Sequence, residues 1–167
     1  MPGKKPINDI QGEMQEDINS FLARRGYAAI PIVQNATGLL LIIVVINDVP
    51  GLFILDTGAG ISVIESNYAE RFKLNLQNDD TNFTGAGAGG QGLKVVPSMG
   101  NKIEIGNYTV TGFTLSTMSL EHVSQALGQL GANEEILGII GVDILKPANA
   151  IIDYCSMTLF LSLKSQS

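Results

Sequence analysis

One stretch around residue 56 constrains this chain more than any other. The apolar run from Leu52 to Leu55 leads directly into Asp56, Thr57 and Gly58. An apolar run of this length predicts a buried strand, so we expect Asp56 to emerge from a rigid element into a turn. Gly58 permits backbone conformations that are closed to other residues, and the Thr57 hydroxyl can form local hydrogen bonds. The pattern is typical of a carboxylate that another molecule must reach.

A second stretch makes the interpretation of the first more specific. Residues 136–145 read Ile-Leu-Gly-Ile-Ile-Gly-Val-Asp-Ile-Leu, in which two apolar pairs are each followed by glycine. Together with residues 54–59 and 62–64, this stretch resembles the active-site signature and C-terminal segment of the retropepsin-like aspartic proteases, the single-domain members of clan AA, of the bacterial type. The order and spacing match that family, and the resemblance covers residues 30–163.

The resemblance implies an all-β fold, mainly β with a few short helices: a retropepsin-like closed β-barrel, equivalent to half of an aspartic protease. The length of 167 residues fits one domain, and nineteen glycines predict many turns. We expect a helical extension over residues 1–27 and the protease domain over residues 28–167. In the extension, apolar residues recur at helical spacing and predict an amphipathic helix over residues 8–25 that packs on the domain or on a partner subunit.

Turn residues and apolar runs predict the other elements. The expected strands are 28–33, 39–46, 52–55, 62–64, 94–97, 102–105, 108–110, 113–115, 136–140, 150–154 and 157–163. The strand over residues 39–46 is expected to be buried on both faces. Turns are expected at 35–38, 47–51, 100–101 and 106–107. Short helices are expected at 67–72, 121–130 and 144–146, capped in the first case by Ser66 and in the last by Asp143.

A glycine-rich stretch over residues 81–92 separates the two signature segments. In the family that the chain resembles, this region is a flap that closes over bound peptide, and such lids need backbone freedom. The resemblance therefore implies substrate binding by Ala59 and by Gly85, Ala86, Gly87, Ala88 and Gly89. A phosphate-binding loop is disfavoured, because no Lys-Ser/Thr pair follows the glycines. A surface loop without a function stays open.

The count of carboxylates predicts how an active site would be assembled. Aspartic-protease hydrolysis needs two facing carboxylates that share one proton, and this chain has a single Asp-Thr-Gly. The resemblance implies Asp56, Thr57 and Gly58 as catalytic residues of a symmetric homodimer, with Thr57 bracing the two turns against each other. Viral members carry arginine where this chain has Val142, so the ion pair made from that position is not expected here.

Two functions remain open at this point. The first is an aspartic endopeptidase, a hydrolase that cleaves a peptide or protein substrate. The second is a catalytically silent retropepsin-like module for peptide binding or dimerisation. The intact Asp56-Thr57-Gly58-Ala59 sequence favours the endopeptidase, because a carboxylate kept in a largely buried setting is costly unless it is used.

Composition argues against several other classes. A net charge of −6 disfavours nucleic acid and anionic membranes as partners. The single cysteine, Cys155, and single histidine, His122, form no metal-binding cluster, so neither a metal nor another cofactor is expected. Cys155 follows an apolar run and is expected to be buried. No signal peptide is visible, so cytoplasmic location is the default, while removal of an upstream signal would make the protein periplasmic or secreted.

Overall fold

The chain folds mainly into β-strands. The computed structural model describes residues 18–77, 83–84 and 94–164, with residues 83–84 described by their backbone alone. In chain order the elements are helix α1 (18–24), β1 (Tyr27–Pro31), β2 (Val33–Gln34), β3 (Leu40–Ile46), β4 (Val49–Leu55), β5 (Val63–Glu65), a 3-10 helix (Ser66–Tyr68), β6 (Phe83–Thr84), β7 (Lys94–Ile105), β8 (Tyr108–Met118), α2 (Glu121–Gln129), β9 (Gly138–Ile140), α3 (Val142–Leu145), β10 (Ile151–Asp153) and β11 (Thr158–Ser162).

Six of the strands form a closed barrel. Neighbouring strands pair in the order β3, β4, β9, β5, β8 and β7, and a return pairing joins β7 to β3. This closing pairing is short, with Val45 opposite Glu104 and Ile46 opposite Ile103. A separate three-stranded sheet has the order β1, β11, β10 and brings the beginning and end of the described chain together. The expectation of a mainly β, barrel-type fold is confirmed.

The strands next to residue 56 pack on both faces. Ile42 and Val44 of β3 point into the main core with Phe53 of β4, and all three are at most 1% exposed. On the opposite face, Leu41 of β3 and Ile54 of β4 pack against a second apolar cluster. The members that α2 and the loop after it contribute to this cluster are Leu127, Ala132 and Ile136. The prediction of a strand over residues 39–46 that is buried on both faces holds only in part, because the second face is covered at Leu41 while Ile43 on the same face is 57% exposed.

The N-terminal helix is confirmed within the described residues, where residues 18–24 are helical. Residues 8–17 of the predicted helix lie outside the described part. Leu22 is buried at 7% exposure, and the amide of Leu163 donates to the carbonyl of Gly26 at 2.8 Å. The helix end is thus attached to its own domain beside β11. Among the described residues, no helix is long and apolar enough to cross a membrane.

The turn predicted over residues 47–51 is shorter than expected. Asn47 and Asp48, with φ of 49° and 69°, make a two-residue hairpin turn, and Val49, Pro50 and Gly51 belong to β4. Two successive positive φ values match the twist of a hairpin, which is why Asn and Asp suffice. β4 pairs with β9 only from Phe53 onward, so Pro50 lies in a stretch where a missing backbone donor costs little.

The predicted meander of four short strands is instead two long ones. β7 continues through residues 100–101, which are predicted to form a turn, whereas the predicted turn at 106–107 joins β7 to β8. The register of the two strands shifts between Ser98 and Asn101. Gly100 takes a φ of 79° at this bulge, and Asn101, only 2% exposed, donates from Nδ2 to the Ser98 carbonyl at 2.8 Å. The turn-like Gly-Asn pair therefore marks a β-bulge rather than a chain reversal.

Two expectations about single residues are wrong. Cys155 is exposed, because it lies in the turn between β10 and β11, where its amide donates to Asp153 Oδ1 at 2.9 Å. Ser66 does not cap the helix that follows β5. The helix is a single 3-10 turn, and the preceding carboxylate caps it, with the Asn67 amide donating to Glu65 Oε1 at 3.2 Å.

Candidate active site

Asp56 follows the last residue of a strand that lies in the middle of the barrel sheet. β4 pairs in parallel with β9, with Leu55 opposite Ile140. The ladder continues one step further, since the Asp56 amide donates to the Ile140 carbonyl at 3.0 Å. The backbone of Asp56 is therefore fixed by two buried strands, as the apolar run before it predicts.

The three residues after Asp56 form a tight turn. The Gly58 amide donates to Asp56 Oδ1 at 2.8 Å, and the Ala59 amide donates to the Asp56 carbonyl at 3.2 Å. Thr57 and Gly58 are exposed, whereas Asp56 and Ala59 are partly buried. The turn orients the carboxylate while leaving it open to a molecule from outside.

The second signature stretch lies against this turn, and its glycines make the close approach feasible. A Cβ atom on Gly138 would lie 2.2 Å from the Val63 carbonyl oxygen. A Cβ atom on Gly141 would lie 2.6 Å from the Ala59 carbonyl oxygen. Both distances are shorter than any side chain tolerates, so the two apolar-apolar-Gly repeats are explained by crossing backbones.

A side-chain network joins the end of the turn to α3. Ser62 Oγ donates to Asp143 Oδ1 at 2.6 Å, and the Ser62 amide donates to Asp143 Oδ2 at 2.8 Å. Ser62 Oγ also accepts from the Gly141 amide at 2.9 Å. The prediction that Asp143 caps a helix is corrected. The helix begins at Val142 after an N-cap at Gly141, so Asp143 lies in its first turn and its carboxylate faces Ser62.

Sequence reasoning missed this pair. Ser62 was grouped with the strand that follows it, and Asp143 was assigned to its own helix. The partners are 81 residues apart, so no local spacing rule connects them. The available signal was a polar serine, only 1% exposed, at the start of a fully buried strand, because a buried hydroxyl needs a partner.

A shallow depression of about 310 Å³ lies beside Thr57. Most of its lining is apolar, and the polar side chains in it are those of Thr57, Lys146 and Asn149. The lining residues are Thr57, Val142, Leu145, Lys146, Asn149, Ala150 and Ile152. Of the turn residues 56–59, Thr57 alone lines the depression, so the concave surface adjoins the turn at Thr57.

The residues expected in a flap fall outside the described part of the chain. They are Gly85, Ala86, Gly87, Ala88 and Gly89. The described backbone on either side is antiparallel, with Phe83 opposite Val95 and Thr84 opposite Lys94. Of the predicted site residues, the structure therefore brings Asp56, Thr57, Gly58 and Ala59 into one turn.

Comparison with known proteins adds the family to this geometry. A family model described as "Aspartyl protease" matches residues 42–144. None of the curated proteins matches the chain. A retropepsin-like aspartic protease from Rickettsia conorii has a similar structure, with a TM-score of 0.51 and 19% identity, over 81% of this chain and 90% of that one.

A viral structure gives the same result. EIAV protease complexed with the inhibitor HBY-793 has a TM-score of 0.50 and 21% identity, over 72% of this chain and 98% of that one. At such identities the likeness establishes the fold alone, while the family model covers more than half of the chain and includes both signature stretches. The chain belongs to the aspartyl protease family and has the retropepsin-like fold.

Proposed function

We propose that this protein is an aspartic endopeptidase that works as a homodimer. Two Asp56 carboxylates, one from each subunit, activate a water molecule that hydrolyses a peptide bond of a peptide or protein substrate. The observation that carries the proposal is the Asp56 turn: a partly exposed carboxylate at the end of a buried strand, held by the Gly58 amide at 2.8 Å.

Two other carboxylates already form hydrogen bonds within the chain, and this supports a dimer. Asp143, on the helix packed against the turn, has both oxygens occupied by Ser62. Asp153 accepts from Ser156 Oγ at 2.6 Å and from the Cys155 amide. Neither of these carboxylates is available to face Asp56, so the second one is expected from another copy of the chain.

The exposed side of Thr57 is the face through which two copies would meet. A two-fold axis places identical surfaces opposite each other, so bringing two Asp56 side chains together also brings the two Thr57 turns together. The apolar depression beside Thr57 would be covered in the same step. Val142 lines that depression. In the proposed dimer Val142 would make an apolar contact at the position where viral members form an ion pair with arginine.

The two identical carboxylates would act differently because they lie close together. Like charges at short range disfavour double ionisation, so the pair shares one proton. The ionised Asp56 takes a proton from the water, and the protonated one donates a hydrogen bond to the scissile carbonyl. Gly58 and Ala59 would line the cleft, and residues 85–89 would close over the substrate as a flap.

The first test combines sedimentation equilibrium with peptide cleavage on the same samples over a concentration series. If the proposal holds, the rate of cleavage rises in proportion to the fraction of dimer. A chain that forms dimers but cleaves no peptide would favour the catalytically silent module. Cleavage by the monomer would refute the shared site, because one chain would then supply the complete active site.

A further inference from the structure

One buried nucleophilic side chain near the turn has no part in the proposed chemistry. Ser62 is 1% exposed, and its hydroxyl makes two hydrogen bonds, to Asp143 Oδ1 and from the Gly141 amide. Its own amide donates to the other oxygen of Asp143. Ser62 is therefore not available as a nucleophile, and its interactions all point toward one helix.

These contacts are the last of three that attach the turn to the end of β9 and the segment that follows it. The Asp56 amide is bonded to the Ile140 carbonyl, and the Ala59 carbonyl accepts from the Val142 amide at 2.9 Å. Those two contacts use backbone atoms only. The third contact, at Ser62 and Asp143, depends on side chains, so it alone can be removed by substitution without changing the backbone.

The Asp143 carboxylate is well placed to hold the end of the turn. Its oxygens accept from the Ser62 amide, the Ser62 hydroxyl and the Ile144 amide, the last at 3.0 Å. Hydrogen bonds to a charged acceptor are stronger than neutral ones, and a bidentate arrangement fixes direction as well as distance. The carboxylate therefore joins β5, which follows the turn, to the first turn of α3.

We propose that Ser62 and Asp143 are positioning residues that set the place of Asp56 in the active dimer. This inference rests on the proposed function. In a two-fold dimer a shift of the turn occurs in both subunits, so the position of one Asp56 carboxylate relative to the other changes by both displacements. A displacement of about 1 Å in a catalytic group can cost about 100-fold in rate, so a brace outside the reacting atoms has a large effect.

The test uses four variants of the full chain: Ser62→Ala, Asp143→Ala, the double variant, and Asp143→Asn. Each is assayed as a dimer for kcat and KM, and the exchange rates of the Asp56 and Val142 amides are measured in parallel. Ser98→Ala is the matched control, because Ser98 is also a fully buried serine, and its hydroxyl is bonded to Asn101 away from the turn.

We expect each single alanine variant to lower kcat about 10- to 100-fold with KM changed less than about twofold, because positioning affects the reacting step. The double variant should be no more than about threefold slower than the worse single variant, since coupled partners are not additive. Asp143→Asn keeps one acceptor oxygen and should retain more kcat than Asp143→Ala. Ser98→Ala should leave kcat per dimer at the wild-type value.

Several results would overturn the inference. Wild-type kcat in Ser62→Ala, or fully additive losses in the double variant, would remove the positioning role while the endopeptidase proposal stood. If the wild type cleaves nothing, the proposed function fails, and amide exchange decides: unchanged exchange at Asp56 and Val142 in Ser62→Ala refutes the brace. If Ser62→Ala does not fold, the comparison of Asp143→Asn with wild type decides in the same way.

Discussion

The amide nitrogen of Asp56 lies 3.0 Å from the carbonyl oxygen of Ile140, and this hydrogen bond extends the parallel ladder between β4 and β9 by one residue. The carboxylate is therefore placed by the sheet and not by a loop. Rigid placement suits a site that must match a second copy of itself. The predictions below test the turn, the packing beneath it and the hairpins around it.

Mixed dimers of wild type and Asp56→Asn should reveal whether one site needs two carboxylates. In an equal mixture, random pairing leaves about a quarter of the dimers with two Asp56 residues, so activity should fall to about a quarter of the wild-type value. Asp56→Asn alone should show no cleavage while it still dimerises. The measurement is cleavage rate against mixing ratio at fixed total protein.

Asp48→Asn is the control for this mixing experiment. Asp48 is an exposed hairpin carboxylate with a φ of 69°, which asparagine tolerates well. Its mixtures with wild type should keep full activity at every ratio. Activity of about three quarters of the wild-type value in the equal mixture would mean that one Asp56 per dimer is sufficient, and a linear decline would mean that each Asp56 acts independently.

Adding a methyl group at either glycine beside the turn should destabilise the fold. Gly138→Ala would place its Cβ 2.2 Å from the Val63 carbonyl oxygen, and Gly141→Ala would place it 2.6 Å from that of Ala59. The nearest atom in each case is a backbone oxygen, so relief requires strand movement, and we expect a loss of about 2 kcal/mol or more in the free energy of unfolding. Urea unfolding measures this loss.

Gly128→Ala provides the contrast for these two variants. Gly128 lies in the last turn of α2, and an added Cβ there meets nothing within 4 Å. Alanine is the better helix former, so this variant should gain up to about 0.5–1 kcal/mol. Equal losses at Gly128 and Gly138 would contradict the assignment of the effect to backbone crossing.

Asn47 combines an unusual backbone with a bridging side chain. Its φ is 49°, its Nδ2 donates to the Phe72 carbonyl and to Asn101 Oδ1, and its Oδ1 accepts from the Lys102 amide. Asn47→Ala should cost about 2 to 4 kcal/mol, from lost hydrogen bonds and from backbone strain together. Thermal and urea unfolding give the value.

Asn47→Gly separates the two contributions. Glycine accepts the positive φ, so this variant loses the hydrogen bonds without the strain and should be about 1 kcal/mol more stable than Asn47→Ala. If the free energy of unfolding of Asn47→Gly equals that of wild type, the Asn47 side-chain hydrogen bonds to Phe72, Asn101 and Lys102 contribute nothing to stability.

Acid should weaken the β10–β11 hairpin through Asp153. The hydrogen bond from Ser156 Oγ, aided by the Cys155 amide, lowers the pKa of the Asp153 carboxyl, although desolvation opposes this. A lowered pKa in the folded state means that the contribution is present above the unfolded pKa, about 3.9, and is lost as pH falls through the folded value. Stability should therefore decline below about pH 4.

Ser156→Ala tests the cause of this decline. The variant lacks the 2.6 Å hydrogen bond to Asp153, so its stability should differ less between pH 7 and pH 3 than that of wild type. The site is close to the surface, so the difference should be below about 1 kcal/mol. An equal acid sensitivity in the two proteins would exclude the Ser156 hydroxyl as the cause, since the backbone amides of Cys155 and Ser156 still donate to Asp153 in the variant.

The features that sequence reasoning predicted are those set by neighbours along the chain. The strand before Asp56, the turn after it and the existence of β3 each follow from local residue pattern, whereas the expected burial of both faces of β3 fails at Ile43, which is exposed. The prediction of a turn at residues 100–101 is wrong because a glycine with positive φ occurs in β-bulges as well as in turns. The prediction that Cys155 is buried is wrong because the apolar run before it ends in a surface turn, and Cys155 lies in that turn.

Features created by long-range contacts were not predictable in the same way. Ser62 and Asp143 meet because β9 brings α3 against the turn, and although a serine before an apolar strand predicts some partner, no local pattern identifies Asp143 as that partner. The closure of the barrel by two residue pairs between β3 and β7 is equally invisible in the sequence. Such contacts depend on the completed topology, not on residue preference.

The insertion of β9 between β4 and β5 also fixes the order in which the protein can mature. β4 and β5 are synthesised early, yet β9, which lies between them, comes from a much later part of the chain. A growing polypeptide therefore contains Asp56 before it contains the strand that pairs with Leu55. Joining distant segments costs loop entropy that only the finished sheet repays. Under the proposed function, the nascent chain would therefore be harmless to other proteins until synthesis has passed residue 145.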